Sequence, residues 1–277
     1  MRKGMPKSVQ SELKFKKPPI WEVGFAVITQ TPGVVDPYDV RGLHKAVEDV
    51  LPHVERQAPI NTFEGLTYLS TVNTGLGEGA GVPPRWWFIA DNQQELLQAQ
   101  ERFWAWNWRA NGNVDGPKNY PGFDQLRLRA RDAFDRTRIA IKKQGMSLPD
   151  PAAVELMYDN VIPLSGPGLD ELKLRDVLAE YEPSPPGAKS GWQMMWFEPI
   201  DGVPEEQGHC RVAILLAGIA VPNEQEIRPI VRFSFHAASL EQTWDAAFDF
   251  FDLAHAHITK RLIDLTTETA RARWEPQ

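Results

Sequence analysis

Two glutamates occupy matching places near the starts of two strand-like segments. Glu22 alternates with apolar residues after Pro19, and Glu155 does so after Pro151. Side chains of a strand alternate between its two faces, so each carboxylate is expected on a polar face. Two carboxylates that approach each other raise the pKa of one of them, which suits acid–base chemistry. The alternative for each glutamate is a cap or a salt bridge on a solvated face.

Three more polar residues join these glutamates in a candidate polar site. Asn107 and Arg109 end an aromatic strand, and His236 ends a strand in which polar and aromatic residues alternate. The predicted site therefore consists of Glu22, Asn107, Arg109, Glu155 and His236. Because these residues are scattered along the chain, an enzyme would need a deep pocket that brings several of them together. The sequence assigns no catalytic role to any of them.

Familiar catalytic and metal-binding signatures are missing. The sequence has no Gly-x-Ser-x-Gly elbow, no Cys-x-x-Cys pair and no His-Glu-x-x-His helix. Cys210 follows His209 in a strand, so their side chains point to opposite faces and form no nucleophile–base pair. Asp249, Asp252 and His255 lie one turn apart, but His255 falls on an apolar seam, which favours a structural histidine. We expect no metal and no cofactor.

A glycine-rich segment is predicted to be a flexible loop. Glycines stand at positions 75, 77, 79 and 81. A phosphate-binding loop leads into a helix and usually ends in Gly-Lys-Ser or Gly-Lys-Thr. Here Val82-Pro83-Pro84 and a strand follow instead.

Two features could serve nucleic-acid binding. Trp104, Trp106 and Trp108 share one face of a strand, where they could stack on bases or form core beneath helices. The segment 123–143 carries seven basic and three acidic residues, and the first 17 residues carry six and one. These two segments hold a net +9 of a chain whose total is −7, so the remainder carries −16. The candidate surface for an acidic partner or RNA consists of Arg127, Arg131, Arg138 and Lys142.

The order of predicted elements repeats once. Residues 19–146 and 151–275 each read β-α-βββ-α, which predicts an α+β fold of two pseudo-repeated halves. We expect antiparallel sheet, helices on one face and a long C-terminal helix. The predicted units are a basic flexible tail (1–17), a first half (18–146) and a second half (151–277), packed as one unit.

The element boundaries follow from apolar periodicity and from turn residues. A first helix is predicted from about residue 37, capped by Asp36 and with an apolar stripe that reaches Val54. A seam with alternating spacings of four and three residues predicts one continuous last helix. The other predicted helices cover residues 123–143, 169–181 and, for that last helix, 240–273. The predicted strands cover residues 21–30, 63–72, 85–89, 95–100, 103–109, 154–163, 191–200, 209–221 and 227–236.

Composition restricts the class of protein. The chain has 277 residues, of which 42% are hydrophobic and 24% charged, as expected of a globular protein. One cysteine excludes an intramolecular disulfide and fits a reducing, cytoplasmic setting. No apolar h-region follows the basic start and no apolar stretch reaches 18 residues, so no membrane partner is expected.

Several motifs together resemble a sporadically distributed prokaryotic protein family of about 250–280 residues. The resemblance covers roughly residues 18–275 and ends in a Leu253-x-x-x-His257 segment and Trp274. The chain departs from the pattern at Val161, where the family is expected to carry arginine. The resemblance implies no activity, cofactor or catalytic residue, and such patchy distribution is typical of mobile or defence-associated genes. The motifs are Pro18-Pro19-Ile20-x-Glu22-Val23, Asn107-Trp108-Arg109, Tyr120-Pro121-Gly122-Phe123 and Tyr158-x-Asn160-x-Ile162-Pro163.

Three classes of function fit the sequence. The leading prediction is a non-catalytic binding or adaptor protein of a prokaryotic multi-gene system, with a protein partner. The second is a nucleic-acid-binding protein that uses the basic tail, the arginine-rich helix and the tryptophan face. The third is an enzyme whose site is assembled from the scattered polar residues. Salt-dependent binding would separate the second class from the first.

Overall fold

A computed structural model describes residues 15–29, 40–58, 84–100, 102–112, 119–143, 145, 150–166, 169–180, 192–220 and 227–275. The described residues form nine strands and five helices. The strands are β1 (Ile20–Thr29), β2 (His53–Gln57), β3 (Arg85–Ile89), β4 (Glu95–Gln100), β5 (Phe103–Arg109), β6 (Pro151–Pro163), β7 (Gln193–Pro199), β8 (Gly208–Ala220) and β9 (Ile227–Ser239). The helices are α1 (Arg41–Val47), α2 (Phe123–Lys143), α3 (Leu174–Val177), α4 (Trp244–Leu265) and α5 (Glu268–Ala272).

The nine strands form one antiparallel sheet with the order β2-β3-β4-β5-β1-β6-β9-β8-β7. The predicted α+β class and antiparallel sheet are therefore confirmed. The opening strands of the two predicted halves, β1 and β6, lie side by side at the centre. Their register places Glu22 opposite Asp159 and Ala26 opposite Glu155.

One face of the sheet carries the main core beneath the helices. Phe25 on β1 stacks on Phe123 of α2, with ring centroids 5.6 Å apart, and meets Phe251 of α4 edge-on at 5.3 Å. Trp104 and Trp108 on β5 are buried in the same core, as is Trp106 between them. The tryptophans therefore pack as core and offer no platform for bases. Each of the five helices contributes buried residues to this one cluster.

The opposite face carries only small apolar clusters, built almost entirely from strand residues. One contains Ala26, Phe103, Ala105 and Ala238, and another contains Val161 and Ile230. Strand alternation explains the difference, because each of these residues neighbours one that points into the main core. We call this side the open face.

The long helices follow the sequence prediction closely, except at the end of the chain. α2 begins after Gly122, which has a φ of +89°, and Gly145, with a φ of +81°, follows its C-terminus. The last helix is not continuous to residue 273, because α4 ends at Leu265. Thr266 has extended backbone and donates its hydroxyl to the Leu262 carbonyl at 2.6 Å. None of the described helices is both long and apolar enough to cross a membrane.

Two shorter helices differ from the prediction. α1 ends at Val47, and Val54, predicted on its apolar stripe, lies on the unpredicted strand β2 with an exposed side chain. Pro52 separates the two because proline cannot continue a helix. The helix predicted over residues 169–181 is reduced to the single turn α3.

The end of the predicted basic tail is fixed to the C-terminus. Phe15 packs edge-on against Trp274 with centroids 5.2 Å apart, and Lys17 forms an ion pair with Glu275. Several predictions fall outside the described residues: the tail over residues 1–14, the Asp36 cap, the strand at 63–72 and the glycine-rich loop.

Candidate functional site

A groove of about 500 Å³ runs over the open face and touches every strand except the edge strand β2. Its floor is formed by the central strands β1 and β6. The ionisable and amide side chains that line it share this face because each alternates with a core residue of its strand. They are Glu22, Arg85, Gln98, Asn107, Glu155, Asp159, Gln193, Arg211, Arg232 and His236.

A chain of hydrogen bonds connects one side of the groove to its centre. The Arg85 Nη1 and the Trp87 Nε1 donate to the Gln98 Oε1 at 2.9 and 3.1 Å. The Gln98 Nε2 donates to the Asn107 Oδ1 at 2.7 Å, and the Asn107 Nδ2 donates to the Glu22 Oε1 at 2.9 Å. Gln98 and Asn107 are both buried. The two amides are therefore fixed in orientation, and they hold the Glu22 carboxyl in place.

Gly24 leaves the space in which this chain of hydrogen bonds fits. A Cβ at this position would lie 2.8 Å from the Asn107 Nδ2 and 3.2 Å from the Met157 Cε. The first distance is shorter than real Cβ contacts, so Asn107 would have to move and its bond to Glu22 would be strained. Glycine is therefore required here for close approach of the amide.

Glu22 is held in an environment that favours its neutral form. Burial raises the pKa of the Glu22 carboxyl, and the nearby Asp159 raises it further. The hydrogen bond from Asn107 and the charges of Arg109 and Arg232 act in the opposite direction without cancelling the pKa increase. A carboxyl with a raised pKa is protonated more readily than an ordinary glutamate, a property common among catalytic acids.

Asp159 lies opposite Glu22 on β6 and has partners of its own. The Arg232 Nε donates to the Asp159 Oδ1 at 3.2 Å, and a second guanidinium nitrogen reaches the other oxygen. Ser234 also donates to this carboxylate. Asp159 is only 3% exposed, and these donors reach both oxygens of its carboxyl group. Glu22 and Asp159 thus place two carboxyl groups side by side on the floor of the groove, each with its own hydrogen-bond donors.

The carboxylate pair considered for Glu22 and Glu155 as an alternative to separate salt bridges does not form. The strand register places Glu155 opposite Ala26, and the carboxyl pairs with His236, whose Nδ1 lies 3.1 Å from the Glu155 Oε1. Both side chains of this pair are more than nine-tenths buried. The carboxylate that approaches Glu22 is Asp159, which the sequence prediction omitted.

Four of the five predicted polar-site residues line the groove, and the fifth lies beside it. Glu22, Asn107, Glu155 and His236 are brought together. Arg109 pairs with Glu22 in the strand register, but its Nε donates to the Gln93 carbonyl at 2.9 Å and its guanidinium lies over Trp87. Arg109 therefore acts on Glu22 through its charge.

The groove contains further residues that the sequence prediction missed, among them Arg85, Gln98, Asp159 and Arg211. Asp159 follows Glu155 and Met157 at every second position, so alternation alone could have placed it on the open face.

The predicted basic surface on α2 is largely engaged in internal contacts. Arg127 pairs with Asp252 of α4 at 2.6 Å, and Arg131 pairs with Asp245 at the same distance. Arg138 pairs with Asp135 at 3.1 Å, and Lys142 is exposed. Arg127 and Arg131 thus fasten α2 to α4, and the three ion pairs reduce the local positive charge offered to an acidic partner.

The aspartates and the histidine on α4 form no common site. Asp252 is bound by Arg127. The His255 Nδ1 lies 3.0 Å from the Tyr158 hydroxyl, and its ring stacks on Phe123 at 3.9 Å. Burial lowers the pKa of His255 to about 4, so the imidazole is neutral at pH 7. The predicted structural role of this histidine agrees with these contacts.

No family model matches the chain, and no curated protein matches it in sequence. The resemblance drawn from the motifs therefore stays a prediction.

We expect Glu22→Gln to stabilise the protein at pH 7 by about 1 kcal/mol. Because the folded state raises the pKa of Glu22, the contribution of this group to stability is complete below pH 4.5. It is lost as the pH rises through the folded-state pKa. Glutamine keeps an acceptor for Asn107 and carries no charge to desolvate. Urea unfolding at pH 7 and pH 4 measures the effect.

The stabilisation should be much smaller at pH 4, where most of the glutamate is protonated in the unfolded state as well as in the folded state. The exposed Glu206 provides the matched control, and Glu206→Gln should change the free energy of unfolding by less than about 0.5 kcal/mol. A destabilised Glu22→Gln variant at pH 7 would mean that Glu22 is held as a stabilising anion.

Proposed function

We propose that the protein binds a small polar anion in the groove of the open face. The observation that carries this proposal is the concentration of ionisable groups in one groove: three arginines, Arg85, Arg211 and Arg232, and three carboxyl groups line it. Pockets for small molecules and cofactors measure about 300–1,000 Å³, and the groove lies within that range. The binding role predicted from the sequence is kept, with a small ligand in place of a protein partner.

Arg85 is the residue that points to an anionic group. Among the described residues its side chain has Gln98 as acceptor and no carboxylate partner. Burial lowers the pKa of the Arg85 guanidinium, because desolvation of the cation is not compensated by a neighbouring anion. A carboxylate or phosphate of a ligand in the groove would supply that anion through charge-assisted hydrogen bonds.

The central carboxyl groups favour a ligand that also carries hydrogen-bond donors. Glu155 and Asp159 are paired with His236 and Arg232, yet both line the floor of the groove. Carboxylate oxygens accept several hydrogen bonds each, so hydroxyl or amino groups of a ligand could share them. The expected ligand is therefore anionic at the Arg85 side and rich in donors at the centre.

Burial of Trp104, Trp106 and Trp108 weighs against a nucleic-acid-binding role on this sheet. Base stacking on strands requires aromatic faces that reach solvent. The three indoles lie under the helices, while the open face presents mainly charged and amide groups. This distribution favours a compact polar ligand over a stacked single strand.

Acid–base catalysis is the second candidate function, favoured by one observation. A carboxyl with a raised pKa, Glu22, lies directly opposite a second carboxyl, Asp159, on the same floor. Two neighbouring carboxyl groups in different environments can divide the roles of acid and base. In that case the bound anion would be a substrate, and Glu22 would transfer the proton.

The predicted internal repeat supplies a reason for the position of the groove. We propose that β1, β5, β4 and β3 correspond to β6, β9, β8 and β7, in line with the observed strand order. In this correspondence Glu22 matches Glu155, and Asn107 matches His236. The groove then lies across the junction of two similar halves, where their open faces meet.

Arg85→Gln tests the proposed function. The probe is a panel of nucleoside monophosphates, sugar phosphates and dicarboxylates, and binding is measured by thermal shift and calorimetry. We expect at least one class to bind, and Arg85→Gln to weaken it about 10- to 100-fold, since charge-assisted hydrogen bonds contribute about 1.5–3 kcal/mol.

Arg136→Gln is the matched control. This arginine lies on α2 and pairs with Asp49 and Asp132, away from the groove. It should leave the affinity unchanged. Equal loss of affinity in both variants, or binding of no panel member by the wild type, would contradict the proposal.

A further inference from the structure

Three side chains of different chemistry meet on the helix-covered face of the sheet, opposite the groove. Glu198 on β7, Cys210 on β8 and His257 on α4 each offer one ligand atom, and these three atoms lie within 4.8 Å of one another. The Cys210 and His257 side chains are buried and Glu198 is 14% exposed at its side chain. We propose that these three residues form a zinc site that fastens α4 to the edge of the sheet.

The strand register places two of the ligands next to each other. Glu198 and Cys210 are directly opposite in the antiparallel pair of β7 and β8, so their side chains project to the same face. His257 reaches them from the helix above, and its Nε2 lies 2.9 Å from the Glu198 Oε1. The three ligands therefore come from three elements and converge on one point.

The ligand set fits zinc better than the hard cations. Zinc is bound by cysteine thiolate, histidine nitrogen and carboxylate oxygen, whereas calcium and magnesium prefer oxygen alone. With bond lengths of about 2.0–2.3 Å, neighbouring ligand atoms of a tetrahedral zinc site lie about 3.3–3.7 Å apart. The Nε2–Oε1 contact has to open by about half an ångström to reach this spacing. Three protein ligands leave the fourth position for water.

Zinc would take the place of a proton between His257 and Glu198. In the metal-free form the Nε2–H donates to the carboxylate. On binding, the imidazole proton transfers to Nδ1, the Nε2 lone pair binds the metal, and the Cys210 thiol releases its proton to solvent. Each zinc therefore releases one proton, as expected for a site with one thiolate ligand.

Two outer residues hold Glu198 in position. The Trp196 Nε1 donates to the Oε2 at 2.9 Å, and the Arg261 Nε donates to the Oε1 at 2.8 Å. Carboxylate ligands in metal sites are commonly oriented by such hydrogen bonds. A carboxylate oxygen has two lone pairs, so the Oε1 can accept from Arg261 and bind zinc at the same time.

The site would lie on the other face of the sheet from the groove. Cys210 shares its face with Val212, which lies in the main core, while Arg211 between them lines the groove. A metal here would join the edge strand β7 and its neighbour β8 to α4, and zinc would raise the thermal stability of the folded chain.

Cobalt substitution of the untagged protein tests the proposal. Cys210 is the only cysteine, so a thiolate-to-Co²⁺ charge-transfer band can arise from this residue alone. We expect one Co²⁺ per chain with that band, displacement of Co²⁺ by Zn²⁺ and a higher melting temperature with Zn²⁺. Cys210→Ala and His257→Gln should each weaken metal binding at least 100-fold.

His255→Gln, on the same helix but outside the cluster, is the matched control and should keep the charge-transfer band. Circular dichroism without metal establishes that each variant is folded, and Glu198→Gln replaces any variant that is not. A folded wild type that gives no charge-transfer band with Co²⁺ would overturn the proposal. So would a band that persists at unchanged affinity in His257→Gln.

Discussion

Trp104→Ala is expected to lower the free energy of unfolding by about 3–5 kcal/mol, the largest stability effect of any single substitution considered for this protein. Trp104 is 1% exposed on β5, between Ala99 of β4 and Val27 of β1. Truncation removes most of a large buried side chain and leaves a cavity that β-strands cannot close by moving together. Chemical denaturation monitored by circular dichroism measures the loss.

Two further variants, Trp104→Phe and Leu128→Ala, serve as controls for this result. The Trp104 Nε1 has no hydrogen-bond partner among the described residues, so phenylalanine removes a buried unpaired donor and should cost far less than alanine. Leu128 on α2 is 57% exposed, and its truncation should change stability by less than about 0.5 kcal/mol. A Trp104→Ala variant as stable as the wild type would show that the tryptophan face of the sheet is not core.

Stability is expected to fall by about 2–3 kcal/mol between pH 7 and pH 4 through His255 alone. Burial lowers the pKa of His255 from 6.5 to about 4 in the folded state, although the nearby Asp124 partly offsets the decrease. Between these pH values the unfolded chain binds a proton that the folded chain does not. The stabilising contribution is therefore complete above pH 6.5 and is lost as the pH falls towards 4.

His255→Gln isolates this contribution from the other groups that titrate. Glutamine retains an acceptor for the Tyr158 hydroxyl, which now meets the His255 Nδ1, but it does not bind a proton. Urea unfolding of both proteins from pH 8 to pH 4 gives the two free-energy curves. We expect a constant difference above pH 7 that shifts in favour of the variant at lower pH. Parallel curves over the whole range would show that His255 titrates normally.

Alternation along the strands predicted most of the sheet and the composition of its two faces. Around Trp104 and around Phe233, buried aromatic residues recur at every second position, as a strand with one face in the core requires. Apolar periodicity failed to predict the end of a helix where one or two side-chain hydrogen bonds determined it. Thr266 and Thr267 end α4 and cap α5 through their hydroxyl groups, within a segment whose apolar seam appeared continuous.

The sequence predicted most of the residues in the candidate site, but it did not predict which of their side chains form pairs. Four of the five predicted polar residues line the groove, because their side of each strand follows from alternation. Which carboxyl groups meet depends on the register of β1 against β6, and that register joins segments more than 120 residues apart. It placed Asp159, and not Glu155, opposite Glu22. Such long-range register is set by tertiary packing of the whole sheet.

A nuclear magnetic resonance titration tests the central claim, binding of a small polar anion on the open face, most directly. The panel of nucleoside monophosphates, sugar phosphates and dicarboxylates is added to protein labelled at methionine methyls and tryptophan indoles. Met157 lines the groove floor and the Trp87 indole donates to Gln98, so both report on the groove, whereas Trp104 and Trp108 report on the buried face. We predict saturable shifts of the Met157 and Trp87 signals by one panel class, with the Trp104 and Trp108 signals unmoved. Absence of any shift at Met157 and Trp87 with every class, or equal shifts on both faces, would contradict the claim.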